Sequence, residues 1–238
     1  WFYNSDNKAD EWDVFRIKAS VNMNVDLGDN VSAFVQLTNQ TYGENAGLGD
    51  NIDNKVFLDN AYILAKNVLG PITLKLGRQN LIYGSGFVIL DGNSQFASTS
   101  IYFDGVKASM NITENVSIDA FYMKDHENGR GNTTPDDITL MGAYLTAKGC
   151  PVIGGKQELY ALNREDEASG KDIWTYGIRV SDKLDFGLDY AGEIAVQKGT
   201  AAMNGVDHDA LGYKLDLGYT FDIDLKPRIF GQYAFMSG

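Results

Sequence analysis

Residues 15–37, FRIKASVNMNVDLGDNVSAFVQL, carry an apolar side chain at every second position. These are Phe15, Ile17, Ala19, Val21, Met23 and Val25, then, beyond LGDN, Val31, Ala33, Val35 and Leu37. The positions between are Arg16, Lys18, Ser20, Asn22 and Asn24. Period-two alternation predicts strands with one apolar and one polar face. A soluble sandwich turns the apolar face inward and a membrane barrel turns it outward, so this segment alone does not say which face is wet. The same pattern recurs along the chain as six hairpins. Strands are predicted over residues 12–26 and 31–41, 56–66 and 72–82, 101–112 and 116–124. Further strands follow over 138–148 and 156–163, 173–181 and 184–197, and 211–222 and 225–236. No segment predicts a helix, no composition shift marks a linker, and residues 1–238 read as one domain.

Two features of this series decide the fold class. Most strands have about ten residues; soluble strands typically have about 5–6, and about 9–11 tilted residues cross a bilayer. The connections also sort by parity. Links within hairpins are short (LGDN, NVLGP, TEN, GCPVIGG, SDKL, DID), and links between hairpins are long (42–55, 83–100, 125–137, 164–172, 198–210). Short turns at one end and long loops at the other are the signature of a bacterial outer-membrane barrel. The expected fold is therefore all-β, an antiparallel up-and-down transmembrane barrel with about twelve strands in this chain. The expected location is the outer membrane of a Gram-negative bacterium. Trp12, Phe15, Trp174, Tyr219 and Phe221 fall near strand ends, as an interfacial girdle requires.

Composition narrows the function classes. Apolar residues make up 44% and charged residues 22% of the 238, which is not a disordered composition. No apolar run is long enough for a membrane-spanning helix. A net charge of -12 argues against a nucleic-acid partner. A lone Cys150 and two histidines make a zinc site improbable, and no cofactor is expected. His126 and His208 are read as loop residues without a nucleophile nearby, and catalysis is not expected. Much of the acid sits in GENAGLGDNIDN, DHENGRGNTTPDD and NREDEASGKD. Solvated loop charge explains it; the sharper reading is divalent-cation binding, with DGNSQ and GDNIDN as oxygen-rich calcium candidates.

The face assignment sets a row of charges inward as pore-lining residues: Arg16, Lys18, Arg78, Lys107, Arg179, Lys214 and Arg228, with Asp119, Asp185, Asp189, Glu193 and Asp216. Opposed charged walls would orient solutes; mutual pairing in a wet lumen is the plainer reading.

Residues 58–110 carry a resemblance. Ala61-Tyr62, Gly77-Arg78-Gln79, Tyr83-Gly84 and Phe103-Asp104-Gly105-Val106, in this order and spacing, resemble the alginate export family of outer-membrane proteins, and the terminal IFGQYAFMSG is similar to a family strand. The resemblance implies an eighteen-stranded barrel, so the chain is expected to be partial at its C-terminal side, unless twelve strands close by themselves. It implies a porin-like channel passing small hydrophilic or anionic solutes, oligosaccharide or polyuronate among them. The sequence departs from the family in having SGFVILDGNSQF after Tyr83-Gly84, and its inward charges are mixed rather than arginine-rich. Arg78 and Asp104 flank the long loop; they are read either as structural pins or as groups that meet the solute. The 83–100 loop is the candidate for narrowing the pore. Two rival functions stand: a structural or adhesive surface barrel whose acidic loops bind ions or partners, and a secreted soluble sandwich. The oligomeric state is unknown from sequence.

Overall fold

The computed structural model describes residues 16–42, 56–90, 103–125, 138–150, 154–202 and 205–237. Twelve antiparallel strands form one sheet in strict chain order. They are β1 (Arg16–Gly28), β2 (Val31–Tyr42), β3 (Val56–Ala65), β4 (Ile72–Gln79), β5 (Phe103–Asn111) and β6 (Val116–Asp125). The second half comprises β7 (Ile138–Cys150), β8 (Gly154–Asp166), β9 (Lys171–Lys183), β10 (Leu188–Thr200), β11 (Asp207–Thr220) and β12 (Arg228–Met236). The described residues contain no helix. Each strand pairs with its neighbours in sequence, and no pairing joins β1 to β12 among the described residues, so the sheet is open.

Several boundaries differ from the alternation. β10 begins at Leu188 rather than residue 184, because Leu184–Gly187 closes a tight turn through Gly187 N–H to Leu184 O at 3.0 Å. Asp185 therefore lies in that turn and not on the wall. β8 and β9 run almost into each other across residues 167–170. There Asp166 accepts hydrogen bonds from the Ser169 backbone N–H and hydroxyl, at 3.1 and 2.6 Å. The expected long loop at 164–172 is thus a four-residue turn, and β11 reaches back to Asp207, shortening 198–210 in the same way. The parity of loop lengths survives where the long links 43–55, 80–102 and 126–137 separate strands; the later strands are instead longer. His208, expected in a loop, belongs to β11 and shares a 3.0 Å hydrogen bond with Gln197.

The faces follow the alternation. On β1, Ile17 and Val21 are 60% and 71% exposed, and Lys18, opposite Gln40, turns to the other side, 3.8 Å from Asp59. On β9–β11 the rung Trp174–Lys198–Asp209 and the rung Leu188–Tyr219 bound an exposed apolar band holding Tyr176, Ile178, Ile194, Val196, Leu211, Leu215 and Leu217. Ten residue steps along β10 separate the two rungs. At about 3.3 Å per residue and a tilt of about 40° that is about 25 Å, the height of a lipid-facing band. Aromatic side chains stand at both rims: Trp174 and Tyr176 at one, Tyr219 and Phe221 at the other. Trp12 and Phe15 lie outside the described residues.

The sheet is curved around its polar face. Residues 80–90, after β4, lie on that face, with Leu81 beside Phe103 and Met123 in the core and Phe87 against Gly212 of β11. In a flat sheet, seven strand spacings of about 4.8 Å would put β4 and β11 about 34 Å apart. The six residue steps from Leu81 to Phe87 span at most about 20 Å, so the wall must bend around this segment.

The face assignment predicts an asymmetry. Ile194→Arg, in mid-band, should weaken folding into a bilayer by about 2–4 kcal/mol. Ala191→Arg on the opposite face, beside Asp216, should change it by less than about 1 kcal/mol. Urea titration of the protein in lipid vesicles measures both, and equal penalties would reverse the orientation.

Candidate functional site: the loop-covered polar wall

The segment NLIYGSGFVIL, residues 80–90, is drawn inward by its own start. Gln79 is fully buried, and its side-chain amide donates to the carbonyls of Lys75, Gly77 and Gly105 at 3.2–3.4 Å. Two of these carbonyls belong to glycines at which the neighbouring strands approach closely. A Cβ at Gly77 would meet the Ala61 carbonyl, and one at Gly105 the Tyr122 carbonyl; Gly77 also holds φ at +120°, which side chains rarely adopt. Phe103 and Leu81 then pack together in the core under the loop. Gly77, Gln79, Phe103 and Gly105 are therefore the scaffold that launches the loop.

Arg78 and Asp104 stand elsewhere. Register sets Arg78 opposite Ala61 and Asp104, on the side of Leu76 and not on the side of Lys107. The two form a bidentate pair, both bonds 2.8 Å, and Arg78 Nη1 donates to the Leu58 carbonyl at 3.1 Å. Leu58 precedes the β3 irregularity at which Leu37 pairs with Leu58 and Gln36 with Asn60, leaving Asp59 as an extra residue. A bulge disrupts the ladder locally, and the guanidinium supplies the donor. Arg78 was expected to line the pore; the register instead keeps it on the face of Leu74 and Leu76, where the period-two alternation of β4 itself puts it, so it faces outward.

On the polar face the loop meets a layered network. Tyr83 stacks between Phe121 and Tyr144, with centroids 5.7 and 4.2 Å away, and Tyr144 stacks on Tyr160 at 5.4 Å. The Tyr83 hydroxyl donates to Asp119 at 2.7 Å, and Lys107 approaches the same carboxylate at 3.4 Å. Burial, and then the Asp119 carboxylate, push the Tyr83 phenol far above its ordinary range, so it stays a donor. Beside it, Arg179 is held between two buried acids: Nη1 lies 2.5 Å from Glu158 and Nε 3.7 Å from Glu193. Glu158 also accepts from Lys156 at 2.6 Å and the Tyr144 hydroxyl at 3.0 Å. Glu193 accepts from the Tyr160 hydroxyl at 2.9 Å and, from the loop, the Ser85 hydroxyl at 3.5 Å. Gly84 passes over this cluster; a Cβ there would come within 3.0 Å of Arg179 and 3.3 Å of Tyr144. The Tyr83-Gly84 pair thus sits over Asp119 and Arg179, the cation that the buried Glu158 and Glu193 share.

The remaining expected residues pair along neighbouring strands. Asp189 takes a bidentate contact from Arg228, at 3.0 and 2.6 Å. Lys214 lies 3.4 Å from Asp216, which also accepts from Gln232 at 2.6 Å. Arg16 opens β1 opposite Tyr42. DGNSQ, GDNIDN and His126 lie outside the described residues. Sequence reasoning missed Glu158, Tyr144 and Tyr160. In QELYAL, Leu159 and Leu162 fall on opposite faces, which blurs the alternation there; the register partner of Arg179 across β8 was the signal that points to Glu158.

An open wall with an apolar, aromatic-rimmed outer face and a charged, loop-covered inner face is the architecture of an outer-membrane barrel. The comparisons agree. Residues 7–238 match the sequence profile described as "Alginate export", and the chain belongs to that family. No curated protein matches the sequence. Among solved structures it is similar to OccD3 (OpdP) of Pseudomonas aeruginosa (TM-score 0.55, 12% identity, 88% of this chain and 50% of that one). It is also similar to OccAB1 of Acinetobacter baumannii (0.53, 12%, 87% and 61%) and to OccK11 (OpdR) of P. aeruginosa (0.50, 13%, 88% and 58%). These likenesses carry the fold. The chain spans about half to three-fifths of the length of those proteins.

Removing the central cation should be severe. Arg179→Met leaves two buried carboxylates without it, and should destabilise the wall by about 3–5 kcal/mol. Tyr83→Phe forfeits only the bond to Asp119, about 1–3 kcal/mol, and should act locally, speeding protease cleavage within 80–90 while leaving the unfolding midpoint nearly unchanged. Limited proteolysis beside urea titration separates the two.

Proposed function

We propose that this chain contributes to one barrel domain forming an outer-membrane, porin-like channel, through which small hydrophilic or anionic solutes diffuse. Oligosaccharides and polyuronates fall within this class. Passage needs no cofactor and no bond-making step. The observation that carries the reading is the 80–90 segment folded onto the charged face, with Tyr83 and Ser85 bonded to Asp119 and Glu193. A loop anchored there narrows whatever space the wall encloses. The exposed apolar face opposite supports contact with outer-membrane lipid. The charges of this face are balanced: Lys107 with Asp119, Lys156 and Arg179 with Glu158 and Glu193, Arg228 with Asp189. Such a lining favours hydrated solutes over any single charge. Family membership supports a channel; the mixed lining distinguishes this wall from an arginine-lined one.

Single-channel recording of the full-length protein in planar bilayers tests the proposal. Stepwise conductance is expected, and Tyr83→Ala combined with Ser85→Ala should raise both the conductance and its noise by freeing the loop. Intact, folded protein with no conductance would overturn it.

A further inference from the structure

On the outer face, one rung of the sheet is alanine across four strands. Ala108 of β5 pairs with Ala120 of β6, Ala120 with Ala143 of β7, and Ala143 with Ala161 of β8. The rung on the short-turn side carries Met110, Ile118, Leu145 and Leu159, and the rung on the long-loop side Val106, Tyr122, Met141 and Asn163. Large side chains thus bank a floor of methyl groups, and an open apolar groove of about 610 Å³ reaches from Ile118 to Val196. One rung beyond Asn163, past the edge of the lipid-facing band, the same strands carry charge. Lys124 of β6 and Glu165 of β8 stand on either side of Thr139 of β7. Two strand spacings, about 10 Å, separate them. Both are exposed, and among the described residues neither side chain has an ion-pair or hydrogen-bond partner. Asp104, opposite Lys124, has both its oxygens on Arg78. Opposite Glu165 stands a second carboxylate, Asp172, which accepts from the Asn163 amide at 2.5 Å. Like charges directly opposite destabilise a strand pair, so Glu165 lies where a cation is wanted.

We propose that this face is the contact between two copies of the chain, related by a twofold axis along the membrane normal at Thr139. Such a contact is isologous, the same patch on both copies. It brings Lys124 of each copy to Glu165 of the other, so one axis forms the pair twice. A strand tilt of about 40° leaves the exchanged positions about 6 Å apart in height, a gap that these two long side chains bridge. On the membrane side of the pair, the alanine floor lets the two walls approach, as small residues do between membrane helices. Lipid alone fits the face less well. An acyl chain would fill the groove and a lipid phosphate would meet Lys124, but both leave Glu165 beside Asp172 without a cation. The inference goes beyond the channel reading and needs only the outward orientation of β5–β9.

The full-length protein, in detergent and in lipid vesicles, tests the contact. Sedimentation should show a dimer. Thr139→Cys, in a background without other cysteines, should join two copies by a disulfide on mild oxidation, whereas Met23→Cys, on the outer face of β1, should not. Lys124→Glu and Glu165→Lys should each weaken self-association at least tenfold, while the heat-modifiable gel mobility of a folded barrel persists. An equimolar mixture of these two variants should recover association, because each then meets the opposite charge across the axis; an effect confined to one chain is not repaired by mixing. Ala143→Phe, which raises the floor, should also weaken association. Monomers at every concentration, cross-linking at Met23→Cys as fast as at Thr139→Cys, or a mixture as weak as either variant alone would overturn the contact. So would native mass spectrometry that finds monomers retaining lipid and no dimer, a result that assigns the groove to lipid.

Discussion

In hydrocarbon no water is present to satisfy a stray backbone N–H or carbonyl, and each unsatisfied group costs several kcal/mol. The wall obeys this constraint by an uninterrupted antiparallel ladder from β1 to β12. It shows where the constraint binds hardest. Among the described pairings only two registers shift, one at the β1–β2 turn and one at Asp59 of β3. The second falls inside a strand, and there a side chain repairs the ladder. Arg78 reaches the Leu58 carbonyl, and Asp104 neutralises the charge that this places on the outer side. An arginine carries enough donors to do both at once.

The same accounting explains the inner face. A segment that leaves the ladder to cross a lumen must find partners for its own polar groups. Residues 80–90 do so partly by closing on themselves, Gly86 N–H to Tyr83 O at 2.9 Å and Tyr83 N–H to Ile89 O at 3.3 Å. The rest comes from the wall. Tyr83 brings both an apolar ring, stacked in the series Phe121–Tyr83–Tyr144–Tyr160, and a hydroxyl that reaches Asp119. The acids that receive the loop are fixed beforehand by Arg179, Lys107 and Lys156, so the docking surface is preformed and its charge nearly cancelled. A constriction built this way is set by side-chain packing rather than by the backbone of the loop alone.

Much of the fold was legible because the alternation of β1, β9, β10 and β11 is clean: one misplaced residue would put Ile178 or Leu215 in the lumen and Arg179 or Lys214 in lipid. All twelve strands were countable on that basis. Strand ends were less legible. Asp185 continues the alternation of β10 in sequence, yet Gly187 turns the chain at φ +97° and takes the residue out of the wall. Residues 164–172 look like a loop by composition, yet Arg164 to Asp166 and Lys171 to Asp172 are paired strand. Polarity there reflects the rim of a wet lumen, not the absence of a ladder. The tyrosine stack was illegible for a different reason. It joins residues of β6, β7, β8 and the loop, and no local pattern reports a contact across four elements.

Arg78 and Asp104 bear on how far a family pattern can be read as a binding site. The sequence offered them two roles, pin or solute contact, and their place beside a lumen loop favoured neither. The geometry separates them from the residues between which they are written. In Gly77-Arg78-Gln79 the outer two serve the inner face, Gly77 by letting the β3 backbone come close and Gln79 by donating to the Gly77 carbonyl, while Arg78 points the other way. In Phe103-Asp104-Gly105 the division is the same, with Phe103 and Gly105 inward and Asp104 outward. Two triplets on adjacent strands therefore act as one joint with two sides: the outer side mends the β3 bulge and the inner side launches the loop. A lysine at position 78 would keep the charge but lose the fork that binds Asp104 and Leu58 together, so the outer half of the joint depends on guanidinium shape and not on charge. A motif can thus mark a channel without any of its charged residues meeting the solute.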